Sequence, residues 1–159
     1  MQLCKEFKRR VTHKKLLNTN IDKVWSTISK ASNLELFHPL VDKNPVIKWE
    51  DTNRSDEIHY LNGHIYQREF VNWMPQKGYN LYINRVGYPK SYVKWRIQEI
   101  DRFKTLIDIT IYPYLQSFLP FFIYVKPELK KYLKQVLGGL DWYLKNNKRI
   151  PKENHRWFS

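Results

Sequence analysis

Three residues of metal-ligating type fall close together in the chain: Asp56, His59 and His64. A carboxylate and two imidazoles hold a transition metal when their spacing brings them to one point. Here Asn62-Gly63 stands between the histidines, and that dipeptide favours a two-residue hairpin turn. The set therefore straddles two strands. The histidines lie diagonally on one face, ~7 Å apart, with no third ligand in reach, and no metal is expected. His38, between Phe37 and Pro39, offers different chemistry. A neutral imidazole there could hydrogen-bond a ligand oxygen or act as a base near neutral pH. It could equally be a structural cap bonded to backbone. The chain carries no nucleophile elbow, no phosphate-binding glycine loop, no Cys–His pairing and no HExxH. A catalytic role stays unassigned, with His38 as the candidate, and no cofactor is expected.

The 159 residues suit one domain, and 42% hydrophobic with 16% aromatic content suits a globular core of bulky side chains. A single cysteine, Cys4, leaves no disulfide framework and no cysteine-held zinc or iron–sulfur centre. That fits a reducing compartment, so a cytoplasmic location is expected. Met1-Gln2-Leu3-Cys4-Lys5 has no apolar stretch behind its charges, and no signal peptide is expected. The net charge of +13 gathers at the ends: residues 1–15 hold six Lys or Arg against one acid, and residues 145–159 hold five against one. A nucleic-acid reader carries its charge on a folded face with interleaved aromatics. This chain does not, so no nucleic-acid partner is expected.

The elements that must position these groups read clearly. Phe7–Leu17 is a first, half-exposed strand. Ile21, Val24, Trp25 and Ile28 recur at helical spacing behind Asn20, and a second short helix over about 33–37 stops before Pro39. Six strands follow: Val46–Glu50, Glu57–Leu61, Ile65–Trp73, Tyr79–Val86, Ser91–Glu99 and Thr105–Tyr112. The polar run 51–56 reads as a turn between the first two. Turn signals about ten residues apart predict an antiparallel meander. From Lys126 to Lys148, Leu129, Leu133, Val136, Leu137, Leu140 and Leu144 form one apolar helical stripe. Pro127 suits its first turn, and Asn146-Asn147 offers a C-cap. The apolar run 112–125, broken by Pro113 and Pro120, is too short to cross a bilayer.

The opening Leu17-Asn18-Thr19-Asn20-Ile21-Asp22-Lys23-Val24-Trp25, the step Asn33-Leu34-Glu35-Leu36-Phe37-His38-Pro39 and the closing Leu137-Gly138-Gly139-Leu140-Asp141-Trp142-Tyr143-Leu144-Lys145 carry a resemblance. Together with the order of elements, they resemble the helix-grip fold of the START-related and polyketide-cyclase-like superfamily, which includes the birch-pollen-allergen-like proteins. The resemblance covers roughly residues 8–147. It implies an α+β fold in a single domain spanning 1–159, with a basic tail over 148–159. A curved antiparallel sheet of about seven strands wraps the last helix, two short helices close one end, and a cavity lies between sheet and helix. It also implies that His38 stands near the cavity mouth. Asp56, His59 and His64 look like the iron motif of the ring oxygenases that share this fold, but that motif sits on a helix there.

Alternation along the strands assigns the cavity wall. Tyr79, Leu81, Ile83 and Arg85 share one face, as do Val93, Trp95 and Ile97, and Ile107, Ile109 and Ile111. The candidate ligand-binding set is therefore His38, Tyr60, Trp73, Leu81, Ile83, Arg85, Trp95, Ile109, Gly138 and Trp142. Arg85 could pair an anionic group or stand in water at the rim, and the aromatics could stack on a ligand or fill a core. The glycine pair Gly138-Gly139 marks either a close backbone approach or space for a ligand. Binding of a small hydrophobic or lipid-like molecule is the expected function. The alternatives are a cyclase or dehydratase using the same cavity, and a peripheral lipid-handling protein on an anionic membrane surface. In the last, Phe118–Ile123 dips into the interface while the basic ends meet anionic lipid.

Overall fold

The computed structural model describes residues 7–152. Eight strands form one antiparallel sheet: β1 (Val11–Leu17), β2 (Val41–Lys43), β3 (Val46–Glu50), β4 (Asn53–Tyr60), β5 (Ile65–Met74), β6 (Gly78–Arg85), β7 (Ser91–Asp101) and β8 (Lys104–Tyr112). The order across the sheet is β1-β8-β7-β6-β5-β4-β2, and β3 also pairs with β4. Two short helices, α1 (Ile21–Ile28) and α2 (Leu34–Phe37), follow β1. A helical turn, α3 (Phe118–Pro120), a π-helical turn over Phe121–Val125 and the long α4 (Lys126–Asn146) complete the chain. No helix of the described residues is long and apolar enough to cross a membrane.

Local chemistry explains these boundaries. The Asn20 side chain accepts the Lys23 N–H at 2.9 Å and starts α1, as an N-cap does. Gly63 takes φ of +85° in the β4–β5 turn. Gly78 takes φ of +126°, and a Cβ there would collide with the Trp95 carbonyl, so only glycine fits. α4 ends at Asn147, whose left-handed backbone (φ 50°) lets its N–H bond the Tyr143 carbonyl.

The meander carries one more strand than the seven expected. β2 is only three residues long and lies between Pro39 and Pro45, too short to show alternation. β4 begins at Asn53, inside the polar run read as a turn. Asp56 points inward there, and its charge is met by Arg68 on β5, with Nε–Oδ1 at 2.8 Å. A charge paired in this way is tolerated in a strand that otherwise reads as a loop. The closing helix also starts before Lys126, because the Lys126 N–H bonds the Phe121 carbonyl and carries the helix back through the π turn. The apolar stripe of α4 is buried as its spacing predicts: Leu133, Val136, Leu137, Leu140 and Leu144 pack with Val93, Trp95, Ile97, Ile107, Ile109 and Ile111.

Gly139 sits where α4 crosses the end of α2. A Cβ there would collide with the Phe37 carbonyl and press on Pro39 and Ile150. The glycine allows close packing of helix on helix. The chain beyond α4 then turns back over α2. Ile150 is buried and its N–H bonds the Leu36 carbonyl at 2.9 Å. The Lys152 ammonium reaches the carbonyls of Glu35 and His38 at 3.2 and 3.0 Å. The basic tail assigned to 148–159 is thus docked over its first residues, and its remainder, 153–159, lies outside the described residues.

Candidate functional site

The space between sheet and α4 divides into a filled half and an open half. The filled half lies under α1 and holds a cluster of rings. Trp73 stacks on Tyr79 with centroids 5.2 Å apart, Phe70 meets Tyr79 edge-on at 5.1 Å, and Trp25 meets Trp73 at 5.5 Å. Trp95 lies 5.6 Å from Tyr79. The Tyr79 hydroxyl donates to the Ile28 carbonyl at 3.1 Å, so its polar tip is satisfied inside the cluster. Beside it, Arg68 takes Asp56 with two hydrogen bonds and reaches Asn33 and Asn44 at 3.3 and 3.4 Å. These groups satisfy one another, which buried charges require.

The open half is a cleft of about 600 Å³ between the ends of β5 to β8 and the first turns of α4. Ile83, Ile111, Val125 and Leu129 give it apolar walls. Tyr60, Tyr66, Tyr88 and Tyr132 line it with hydroxyl-bearing rings, and Arg85, His64 and Glu128 complete the lining.

Behind the Tyr60 and Tyr132 rings a hydrogen-bonded chain runs to His38. The Leu40 N–H donates to His38 Nδ1 at 3.2 Å, which leaves the proton of the neutral ring on Nε2. Nε2 stands 3.0 Å from Tyr132 Oη and donates to it. Tyr132 Oη in turn stands 2.7 Å from Tyr60 Oη. With His38 as donor, Tyr132 can donate to Tyr60, and the Tyr60 proton is then available to the cleft.

The electrostatics fix this chain in its neutral form. Burial lowers the His38 pKa to about 3, reinforced by the charges of Lys152 and Arg68. Burial raises Tyr60 well above its ordinary value and also raises Tyr132. Burial and the neighbouring Arg149 lower Lys152 to about 8. A general acid or base works best with a pKa near the working pH, and His38, Tyr60 and Tyr132 are all displaced from it. What they offer at neutral pH is directional hydrogen bonding.

Of the residues singled out in the sequence, Tyr60, Ile83 and Arg85 line the cleft. His38 stands behind it and touches it through Tyr132. Trp73, Leu81, Trp95 and Ile109 lie in the core cluster away from the cleft. Gly138 and Trp142 are half-buried further along α4, also away from it. Asp56 is engaged by Arg68, and His59 Nε2 by Glu57 Oε2 at 2.8 Å, while His64 stands at the cleft.

Tyr132 and Tyr66 were missed in the sequence. Tyr132 falls three residues after Leu129 on the same helical stripe, and Tyr66 shares alternation with Phe70, so both signals were present. Tyr88 comes from an irregular segment, where no periodicity applies.

No protein-family model matches the chain, and no curated protein sequence matches it. Solved structures do. DynU16, a putative protein in the dynemicin biosynthetic locus, superposes with a TM-score of 0.71 at 15% identity over 88% of this chain; the chain spans 48% of that one. The Aha1 dimer from Colwellia psychrerythraea gives 0.65 at 11% identity, covering 88% of this chain and 98% of that one. A START superfamily protein from Mycobacterium smegmatis gives 0.64 at 13%, covering 85% and 98%. At such identities the likeness concerns the fold, and functions within one fold differ widely. An eight-stranded antiparallel sheet gripping a long closing helix, with two short helices after the first strand, places the chain in the helix-grip fold shared by the START-related and polyketide-cyclase-like proteins.

Proposed function

We propose that the protein binds a small apolar molecule carrying a hydrogen-bonding oxygen. The observation that carries this reading is the cleft, with apolar walls and the Tyr60–Tyr132–His38 chain along one side. Ligand sites are commonly largely preformed, mostly apolar, and oriented by a few polar groups. Ile83, Val125 and Leu129 grip the hydrocarbon, and the Tyr60 hydroxyl, oriented by Tyr132, meets the ligand oxygen. Arg85 is placed to meet an anionic end if the ligand has one. An enzyme acting by acid–base chemistry is less well supported, because the pKa directions of the three polar groups oppose it.

The test uses an environment-sensitive apolar dye, alongside native mass spectrometry of the purified protein for a co-purified molecule. The dye is expected to bind the folded protein saturably. Leu129→Trp, which fills the cleft from α4, is expected to weaken binding by about tenfold or more. Unchanged dye binding in Leu129→Trp, with folding intact, rules the cleft out as the binding site.

A further inference from the structure

The segment just before α4 presents its apolar side chains outward. Phe121 is buried at 2% exposure and anchors the segment, but Phe118, Leu119, Phe122, Ile123 and Tyr124 are between 44% and 69% exposed. Five neighbouring large apolar side chains in solvent mark a surface meant to be covered. Leu115 and Val125, on either side of the segment, line the cleft.

The surface is cationic as well as apolar. Residues 113–134 contain four lysines and one acid. The Lys126 ammonium lies 5.3 Å from the Phe122 ring centroid, and the Arg9 guanidinium lies 5.4 Å from that of Phe118. Arg9 comes from the other end of the chain. Its backbone N–H donates to Gln116 Oε1 at 2.7 Å, and its guanidinium donates to the Gln116 carbonyl. These bonds hold the basic stretch Lys8-Arg9-Arg10 against the apolar segment, a juxtaposition that a separation of more than a hundred residues conceals.

We propose that this face, built from Phe118, Leu119, Phe122 and Ile123 with Arg9 and Lys126, docks on an anionic membrane surface. Apolar side chains flanked by Lys and Arg are what an interfacial segment presents to anionic lipid. A second copy of the chain is disfavoured as the occupant. In a two-fold pairing both copies use the same patch, which sets one cationic face against another, and like charges in an interface oppose association. Docking in this way sets the cleft beside the lipid. It stands independently of whether the cleft binds a ligand, and the dye measurement on the same variants keeps the two readings separate.

The experiment is co-sedimentation of the full chain with vesicles of phosphatidylcholine alone or mixed equally with phosphatidylglycerol. The protein is expected to sediment with the mixed vesicles and not with the neutral ones, and binding is expected to fall as salt rises. Leu119→Glu with Ile123→Glu is expected to weaken binding by about tenfold or more while leaving dye binding unchanged. Both positions are more than half exposed, at 64% and 56%, so the thermal midpoint should hold. Lys126→Glu should weaken binding at low salt and matter little at high salt. Failure to bind the mixed vesicles at low salt overturns the proposal, as does equal binding to neutral vesicles. So does a double variant that binds like the parent, or a dimer in sedimentation velocity that the double variant dissociates without any vesicle binding.

Discussion

His38 combines full burial with two hydrogen bonds, and each has a measurable consequence. Its Nδ1 holds the Leu40 N–H and its Nε2 holds Tyr132 Oη. Tyr132→Phe removes the side-chain partner and leaves a buried N–H unpaired. The expected loss is about 1–3 kcal/mol in urea denaturation, with weaker binding of an oxygen-bearing ligand. The second consequence is a pH dependence. The folded pKa is about 3 against 6.5 for the free side chain, so the unfolded chain takes up the proton first as pH falls. The contribution of His38 is complete above about pH 6.5 and erodes by up to about 1.4 kcal/mol per pH unit towards pH 3. Comparing His38→Gln with the parent across that range should show the parent losing stability faster by up to one proton's slope; equal slopes would mean that His38 is charged when folded. The sequence made His38 conspicuous by its place before Pro39 and left open whether it met backbone or ligand. The structure assigns Nδ1 to backbone and Nε2 to a tyrosine that meets the cleft, a relation between positions 94 residues apart that no local pattern encodes.

At the scale of elements, α4 meets the sheet along its leucine face and α2 at Gly139. Leu137 is fully buried, and Leu137→Ala should cost about 2–5 kcal/mol in chemical denaturation. Gly139→Ala sets two effects against each other. Alanine favours an isolated helix by up to about 1 kcal/mol, but its Cβ would meet the Phe37 carbonyl, and overpacking of that kind costs about 1–3 kcal/mol. Net destabilisation in a thermal melt is therefore expected, and a net gain would show that α2 moves aside freely. Much of this architecture was legible, because period-two alternation marked the strands and a long leucine stripe marked α4. β2 was hidden by its brevity. The start of β4 was hidden because Asp56 reads as a turn residue until its partner Arg68 is known. The helical turns over 118–125 were hidden because Pro120 and a run of aromatics resemble a broken connection. The glycine pair was visible as a place of close approach or free space, but α2 as the neighbour of Gly139 is a tertiary fact.

Over the whole molecule the two ends of the described chain return to the body. The N-terminal stretch lies against Gln116, and the residues after α4 fold over α2. Ending the chain after Asn147 would remove the buried Ile150 and the Lys152 contacts to the last carbonyls of α2. We expect a loss of about 2–4 kcal/mol from the missing isoleucine contacts alone, seen as a fall of roughly 4–16 °C in thermal midpoint for a domain of this size. A midpoint within a degree of the parent would show that the docked residues contribute nothing. The filled and open halves of the interior have a consequence for how the chain tolerates change. Stability resides mainly in rings and leucines remote from the cleft, whereas Ile83, Val125 and Leu129 are only partly buried. Random substitution is therefore tolerated better along the cleft than in the ring cluster. The lining of the cleft can thus be rewritten at a few positions while the foundation that keeps the chain folded goes unchanged.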